Sequence, residues 1–197
     1  MNKKRGRPPK YDFNEALDNA ILVFWRKGLT ATSLDDLSEA MNMNRPSIYN
    51  AFGDKEAIYR KALAKFVRQL GEQLDAVLFS EPDLNKALKR FYQVAMDTYF
   101  SNSEVLGCFA TCTALVEVTS STEIKKDFGL VIDRIDSVLE KRLLKAQQEE
   151  NWHQSGSLKD VAKLLNATLQ SVGIRARNGA SRESLDEMCS TVVNLLC

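Results

Sequence analysis

The stretch RPSIYNAFGDKEAIY, Arg45–Tyr59, decides how this chain is read. Pro46 falls where the first turn of a helix would be, and there its missing N–H costs nothing. Ile48 and Phe52 are the clear apolar anchors of that short helix. Arg45, Ser47, Tyr49 and Asn50 are hydrogen-bonding groups left facing outward. A helix with two anchors and a polar outer face is a rigid mount for donors and acceptors. Gly53 ends it, and Asp54 starts a further helix that runs to about Phe79.

Upstream, FNEALDNAILVFWRKG carries an apolar stripe of Ala16, Leu17, Ala20, Ile21 and Phe24, closed by Gly28. Ser33 then begins SLDD, an N-cap with Asp36 three positions on. Leu34, Leu37 and Met41 face the core of this second helix, and Asn44 caps the third. Three helices joined by tight turns, the last two close-coupled, spell a helix-turn-helix whose third helix reads a groove of duplex DNA.

Downstream the chain stays helical. Leu84, Ala87, Leu88, Phe91 and Ala95 mark an amphipathic helix begun near Ser80 and Pro82, and Val105–Val116 is apolar nearly all round, as in a buried helix. Phe128, Val131, Ile132, Ile135, Leu139 and Leu143 form a long stripe that ends at QQEENWHQSG, residues 147–156. Ser157 caps a helix with Leu158, Val161, Ala162, Leu165, Leu169 and Val172. Ser181 opens the last, with Leu185, Met188, Cys189, Val192, Leu195 and Leu196. The fold class is therefore all-α: a basic arm at 1–10, a helix-turn-helix domain at 11–60 and a helical bundle at 61–197.

Charge is uneven along the chain. Residues 1–10, MNKKRGRPPK, carry five cations and no acid, so with a net charge of +1 overall the remainder sums to −4. A basic arm on a slightly acidic body suits a polyanionic partner. The arm lacks the apolar core of a signal peptide, and VLGCFATCTALV, between Glu104 and Glu117, is too short to span a bilayer. A cytoplasmic protein with reduced thiols is expected.

From Gly28 to Leu63, GLTATSLDDLSEAMNMNRPSIYNAFGDKEAIYRKAL resembles the tetracycline-repressor (TetR) family of bacterial transcription regulators. Small-residue turn, Leu-bearing second helix, RPSIY, aromatic, polar turn and Lys-Glu all fall in register. With the first helix the likeness covers residues 11 to about 66. Farther on, VGIRARNGAS, residues 172–181, is similar to the junction of the last two helices in one branch of the family. The resemblance implies a one-component repressor on a pseudo-palindromic operator, released by a small-molecule effector held in the bundle. It implies phosphate contacts from Thr32, Ser33, Tyr49 and Lys55. Arg45, Ser47 and Asn50, with Pro46 among them, are to reach bases or nearby phosphates. Asn50 stands where many members carry an aromatic residue or His, so base preference does not transfer.

Other residues carry further expectations. RGRPPK resembles an AT-hook core, which assigns Lys3, Lys4, Arg5 and Arg7 to DNA contact, with unspecific phosphate attraction as the alternative. Phe91, Tyr92, Tyr99, Cys108, Phe109, Cys112 and Phe128 are candidates to line an effector pocket, though at helical spacing they also read as plain core. Cys108 and Cys112 share a helical face, which opens a thiol-switch alternative, but no cation lies within two turns to activate them. Leu165, Leu169, Val172, Leu185, Met188, Val192 and Leu196 suit a homodimer interface. Metal ligation is disfavoured because His153, the only histidine, sits in a distant loop. No cofactor, membrane partner or catalytic constellation is implied. An architectural DNA-binding role, without sequence preference, is the remaining competitor.

Overall fold

The computed structural model describes residues 12–101, 104–150, 152–153 and 156–196. Lys3, Lys4, Arg5 and Arg7 therefore lie outside the described residues. Among the described residues there are eight α-helices and no strand. The chain divides into two compact units between Leu63 and Ala64.

In the first unit, α1 (Phe13–Lys27) starts at Asp12, whose carboxylate accepts from the N–H groups of Asn14 and Glu15. It ends at Gly28, where φ is +77°. α2 (Leu34–Ala40) opens with a full capping box: Ser33 Oγ accepts from Asp36 N at 3.1 Å, and Asp36 Oδ2 from Ser33 N at 2.9 Å. Leu37 is buried within α2 and Met41 just after it, whereas Leu34, expected in the core, is half-buried. α3 (Arg45–Phe52) is capped by Asn44, which accepts from Ser47 N at 2.9 Å, and it buries only Ile48 and Phe52. Phe52 stacks on Phe13 with ring centroids 4.3 Å apart. Asp54 accepts from Ala57 N at 2.8 Å to open α4 (Lys55–Ser80), and Lys61 Nζ donates to the Phe52 carbonyl at the end of α3.

The second unit holds the rest of α4 together with α5 (Leu84–Tyr99), α6 (Thr122–Glu149), α7 (Leu158–Arg177) and α8 (Arg182–Leu196). α5 starts at Asp83, beside Pro82, because Asp83 Oδ1 captures Lys86 N at 2.8 Å. Two further expectations change. α6 runs through Glu149, taking in the first residues of the polar stretch read as loop. Residues 105–116 are not one buried helix: only a π-helical turn (Ala110–Ala114) and a 3₁₀ turn (Leu115–Glu117) form, and Leu115 and Val116 are exposed. Gly107 at φ +65° keeps the start of this stretch out of the helix, because that backbone conformation cannot continue a right-handed one. Gly107 lies so close to α7 that a Cβ there would stand 2.2 Å from the Gly173 carbonyl oxygen.

Arg142 of α6 is fully buried. Its Nε donates to the Leu78 carbonyl at 2.7 Å, and Nη2 to those of Glu81 and Pro82 at 3.2 and 3.1 Å. Nη1 makes an ion contact with Glu150 Oε1 at 2.7 Å, and Glu150 Oε2 accepts from Leu84 N at 2.8 Å. One guanidinium thus joins the end of α4, the start of α5 and the end of α6. Arg142→Met is expected to lower unfolding stability by about 3 kcal/mol or more, because it strands three carbonyls and a carboxylate. A urea titration checks it: the midpoint should fall with the slope unchanged.

Candidate functional site

The outward face of α3 presents Arg45, Pro46, Tyr49 and Asn50, all exposed, with Ser47 half-buried beside them. Beneath, Ile48 and Phe52 are 0% and 1% exposed, so the polar face is mounted on locked side chains. The Ser33 hydroxyl oxygen is taken by the capping box, but it is exposed and keeps a proton to donate. Arg45 is held by Asp35 of α2, its Nε to Oδ1 at 3.0 Å and its Nη2 to Oδ1 and Oδ2 at 2.5 and 2.6 Å.

Two residues assigned to phosphate are employed differently. Thr32 is buried and its hydroxyl donates to the Gly28 carbonyl at 2.5 Å, closing the turn between α1 and α2. Lys55 Nζ donates to the Thr32 carbonyl at 2.8 Å and to that of Thr30 at 3.4 Å. Both side chains brace the turn that carries Ser33. Nothing in the local sequence distinguishes a lysine that ties carbonyls from one that waits for a phosphate.

The second unit contains a cavity bounded by α4, α5, the 108–111 segment, α6 and α7. Tyr99, Cys108 and Phe128, of the residues predicted, line it. Phe91, Tyr92, Phe109 and Cys112 do not. Phe91 and Tyr92 pack on each other in the core, and the Tyr92 hydroxyl donates to the Leu165 carbonyl at 2.9 Å. Phe109 packs edge-on against Phe66, and Cys112 Sγ points to the Gly173 carbonyl at 3.6 Å. Sequence reasoning missed the contributions of α4 (Phe66, Val67, Leu70, Gly71, Leu74) and the polar wall of Thr111, Arg134, Asn166 and Gln170. Arg134 lies so close over α4 that a Cβ on Gly71 would sit 2.3 Å from its Nη1, and it pairs with Asp75 at 2.7 Å. The space open to the centre of a water molecule is about 40 Å³, enough for roughly three ordered waters.

The thiols sit in poor surroundings for a nucleophile. Burial pushes Cys112 up to about 11, with Cys108 adding to the effect and Arg177 opposing it. Cys189 is pushed up to about 12, by burial first and then by Asp186. Burial also raises the Tyr99 hydroxyl, which has Cys108, Cys112 and Cys189 for neighbours. The cation missing from the local sequence is supplied by α7, yet desolvation outweighs it. Among the described residues, no group of three His, Cys, Asp or Glu side chains is arranged to hold a metal ion.

Leu165, Leu169, Val172 and Leu185, expected on a dimer surface, are core residues of the single chain. Each is at most 3% exposed, packed where α5, α7 and α8 meet. Met188, Val192 and Leu196 are half-buried, and the exposed large apolar side chains on α7 and α8 are Leu164, Ile174 and Leu195.

The family model for bacterial regulatory proteins of the tetR family matches residues 16–62. The HTH-type transcriptional repressor ComR of Escherichia coli (strain K12) is 29% identical over 203 residues, covering 99% of this chain and 93% of that protein. Among solved structures, the TetR family regulator CifR, as a cysteine mutant complexed with 26-bp operator DNA, aligns with a TM-score of 0.90 at 24% identity, over 98% of this chain and 100% of that one. E. coli NemR in its reduced form aligns with a TM-score of 0.83 at 19% identity, over 93% and 96% of the two chains. A three-helix head with an outward polar helix, followed by a helical regulatory unit, defines a DNA-binding transcriptional regulator. Residues 16–62 carry the DNA-binding domain of the tetR family of bacterial regulatory proteins, and over its full length the chain is similar to a repressor of that kind.

The first turn of α2 has a pH signature. Lys27 Nζ bonds Asp36 Oδ1 at 2.7 Å, and with the Ser33 N–H it lowers the Asp36 carboxyl from 3.8 to about 2. The folded value is the lower one, so the stabilisation is complete above about pH 4 and lost as pH falls toward 2. Carboxyl-carbon NMR should give an Asp36 midpoint near 2, and Lys27→Met should move it upward.

Proposed function

We propose that the protein is a homodimeric repressor which occupies a pseudo-palindromic operator and leaves it when a small molecule enters the cavity of the second unit. The observation that carries this reading is the polar face of α3, held rigid by Ile48 and Phe52. Arg45, Ser47 and Asn50 are the base-facing candidates, with Pro46 on the same face, and Ser33 and Tyr49 the candidates for phosphate. Thr32 and Lys55 act behind them, as braces of the turn. Two heads on one site must lie about 34 Å apart, one helical turn of DNA. On α7 and α8, Leu164, Ile174 and Leu195 are the large apolar side chains available to a second copy.

The cavity wall is apolar apart from Tyr99, Thr111, Arg134, Asn166 and Gln170, which suits a hydrophobic effector with few polar atoms. At about 40 Å³ it is contracted, so an effector has to part the walls. Opening of this kind favours the state released from DNA by a coupling of about 1–3 kcal/mol. Raised thiols at Cys112 and Cys189 favour a ligand over thiol oxidation as the signal. The protein acts in the cytoplasm by binding and not by catalysis.

Fluorescence anisotropy on DNA from upstream of the protein's own gene, against scrambled DNA at two salt concentrations, tests the reading. A preference of about 10³-fold or more that persists at the higher salt is expected. Equal and steeply salt-sensitive binding to both DNAs would instead favour an architectural role. Tyr49→Phe should weaken both complexes several-fold. Leu70→Trp, which fills the cavity, should keep operator binding and abolish release by an effector that displaces the wild type.

A further inference from the structure

We propose that Asp35 and Arg45 form one base-reading unit, in which Asp35 fixes the Arg45 guanidinium so that its free edge reads a guanine in each half-site. The proposal rests on the operator-binding reading above and adds to it the identity of a base and a residue that sets specificity.

A guanidinium has five N–H donors in a planar fork. Asp35 occupies the Nε side of that fork, bonding Nε at 3.0 Å and Nη2 at 2.5 and 2.6 Å. Nη1 has no hydrogen bond among the described residues. The opposite edge therefore presents two parallel donors, one from Nη1 and one from Nη2. On the major-groove edge of a base pair, guanine alone offers two adjacent acceptors, O6 and N7. Adenine sets an amino donor beside N7, thymine has one acceptor and a methyl group, and cytosine presents a donor. A fork fixed in this plane accepts guanine and meets a clash of donors at adenine.

Stability does not explain the pair. Arg45 and Asp35 are 55% and 74% exposed in their side chains, and exposed ion pairs contribute little to folding. A carboxylate on a DNA-facing surface also repels phosphates unless it is matched. Orientation is what the contact supplies. Arg45 is a long side chain at the first position of α3, and Asp35 reaches it across the turn from α2. Two helices of the head thus aim one guanidinium, and less rotamer freedom is lost when DNA arrives.

The test is selection from a library of duplexes with 20 randomised base pairs, using the full-length protein and its Asp35→Ala, Arg45→Ala and Arg45→Lys variants. The expected wild-type product is an inverted repeat with one fixed guanine per half-site. Replacing that guanine by adenine should cost the wild type about tenfold or more in affinity. The penalty should vanish in Arg45→Ala, fall in Arg45→Lys, whose ammonium is not held in a plane, and shrink to about threefold or less in Asp35→Ala, whose partner is then free to swing. An unchanged penalty in Asp35→Ala overturns the proposal. So does tighter binding of Asp35→Ala to every sequence, because the carboxylate would then be a mask over the arginine. A specific site with no guanine that responds to Arg45 overturns it while leaving the operator reading intact. If the wild type enriches no sequence at all, both fall.

Discussion

A fully buried arginine holds the regulatory unit in shape. Taking a guanidinium out of water costs several kcal/mol, which is recovered only if its donors are satisfied. Arg142 meets that condition in part: Nε and Nη2 donate to three main-chain carbonyls, and Nη1, without a hydrogen bond of its own, is matched by the charge of one carboxylate, from segments that would otherwise separate. Leu78 lies in the last turns of α4, Glu81 and Pro82 in the connection to α5, and Glu150 just beyond α6. Glu150 answers with its second oxygen, capping the first N–H of α5. The positions of α4 and α6, two walls of the cavity, follow from this one cluster.

The head works under a different constraint. A helix that offers its polar side chains to DNA has few residues left with which to hold itself in place. α3 meets this with two buried side chains, an Asn cap, a stacked Phe13 and a lysine on its last carbonyl. The turn before α2 is braced by Thr32 and Lys55. Side chains that resemble ligand contacts in sequence are here part of the frame that holds the contacts steady.

Packing between α7 and the preceding segment shapes the regulatory unit through absent atoms. Gly107 and Gly173 meet so closely that a Cβ on Gly173 would sit 2.6 Å from that of Cys108. This approach seats Cys108 in the cavity wall and brings Arg177 to Cys112, while desolvation keeps the Cys112 thiol protonated. Gly71 does the same for Arg134 on the opposite wall.

Much of the head was legible in the chain because its signals are local. Ser33, Asn44 and Asp54 cap N–H groups three residues on, Gly28 and Gly53 take positive φ, and the α1 stripe repeats at helical spacing. Such chemistry needs no distant partner. Tertiary structure decided what depends on one. Thr32 turned inward and Lys55 went to carbonyls twenty-three and twenty-five residues away. Leu165, Leu169, Val172 and Leu185 went to the chain's own core, since an apolar stripe shows that a face is covered but not by what. Residues 105–108 stayed out of the helix their hydrophobicity suggested, where Gly107 takes a positive φ against α7. The sequence alone determined an all-α chain with a DNA-reading head. Only packing decided which polar groups remained free to read DNA, because a side chain's availability depends on neighbours that folding brings from elsewhere.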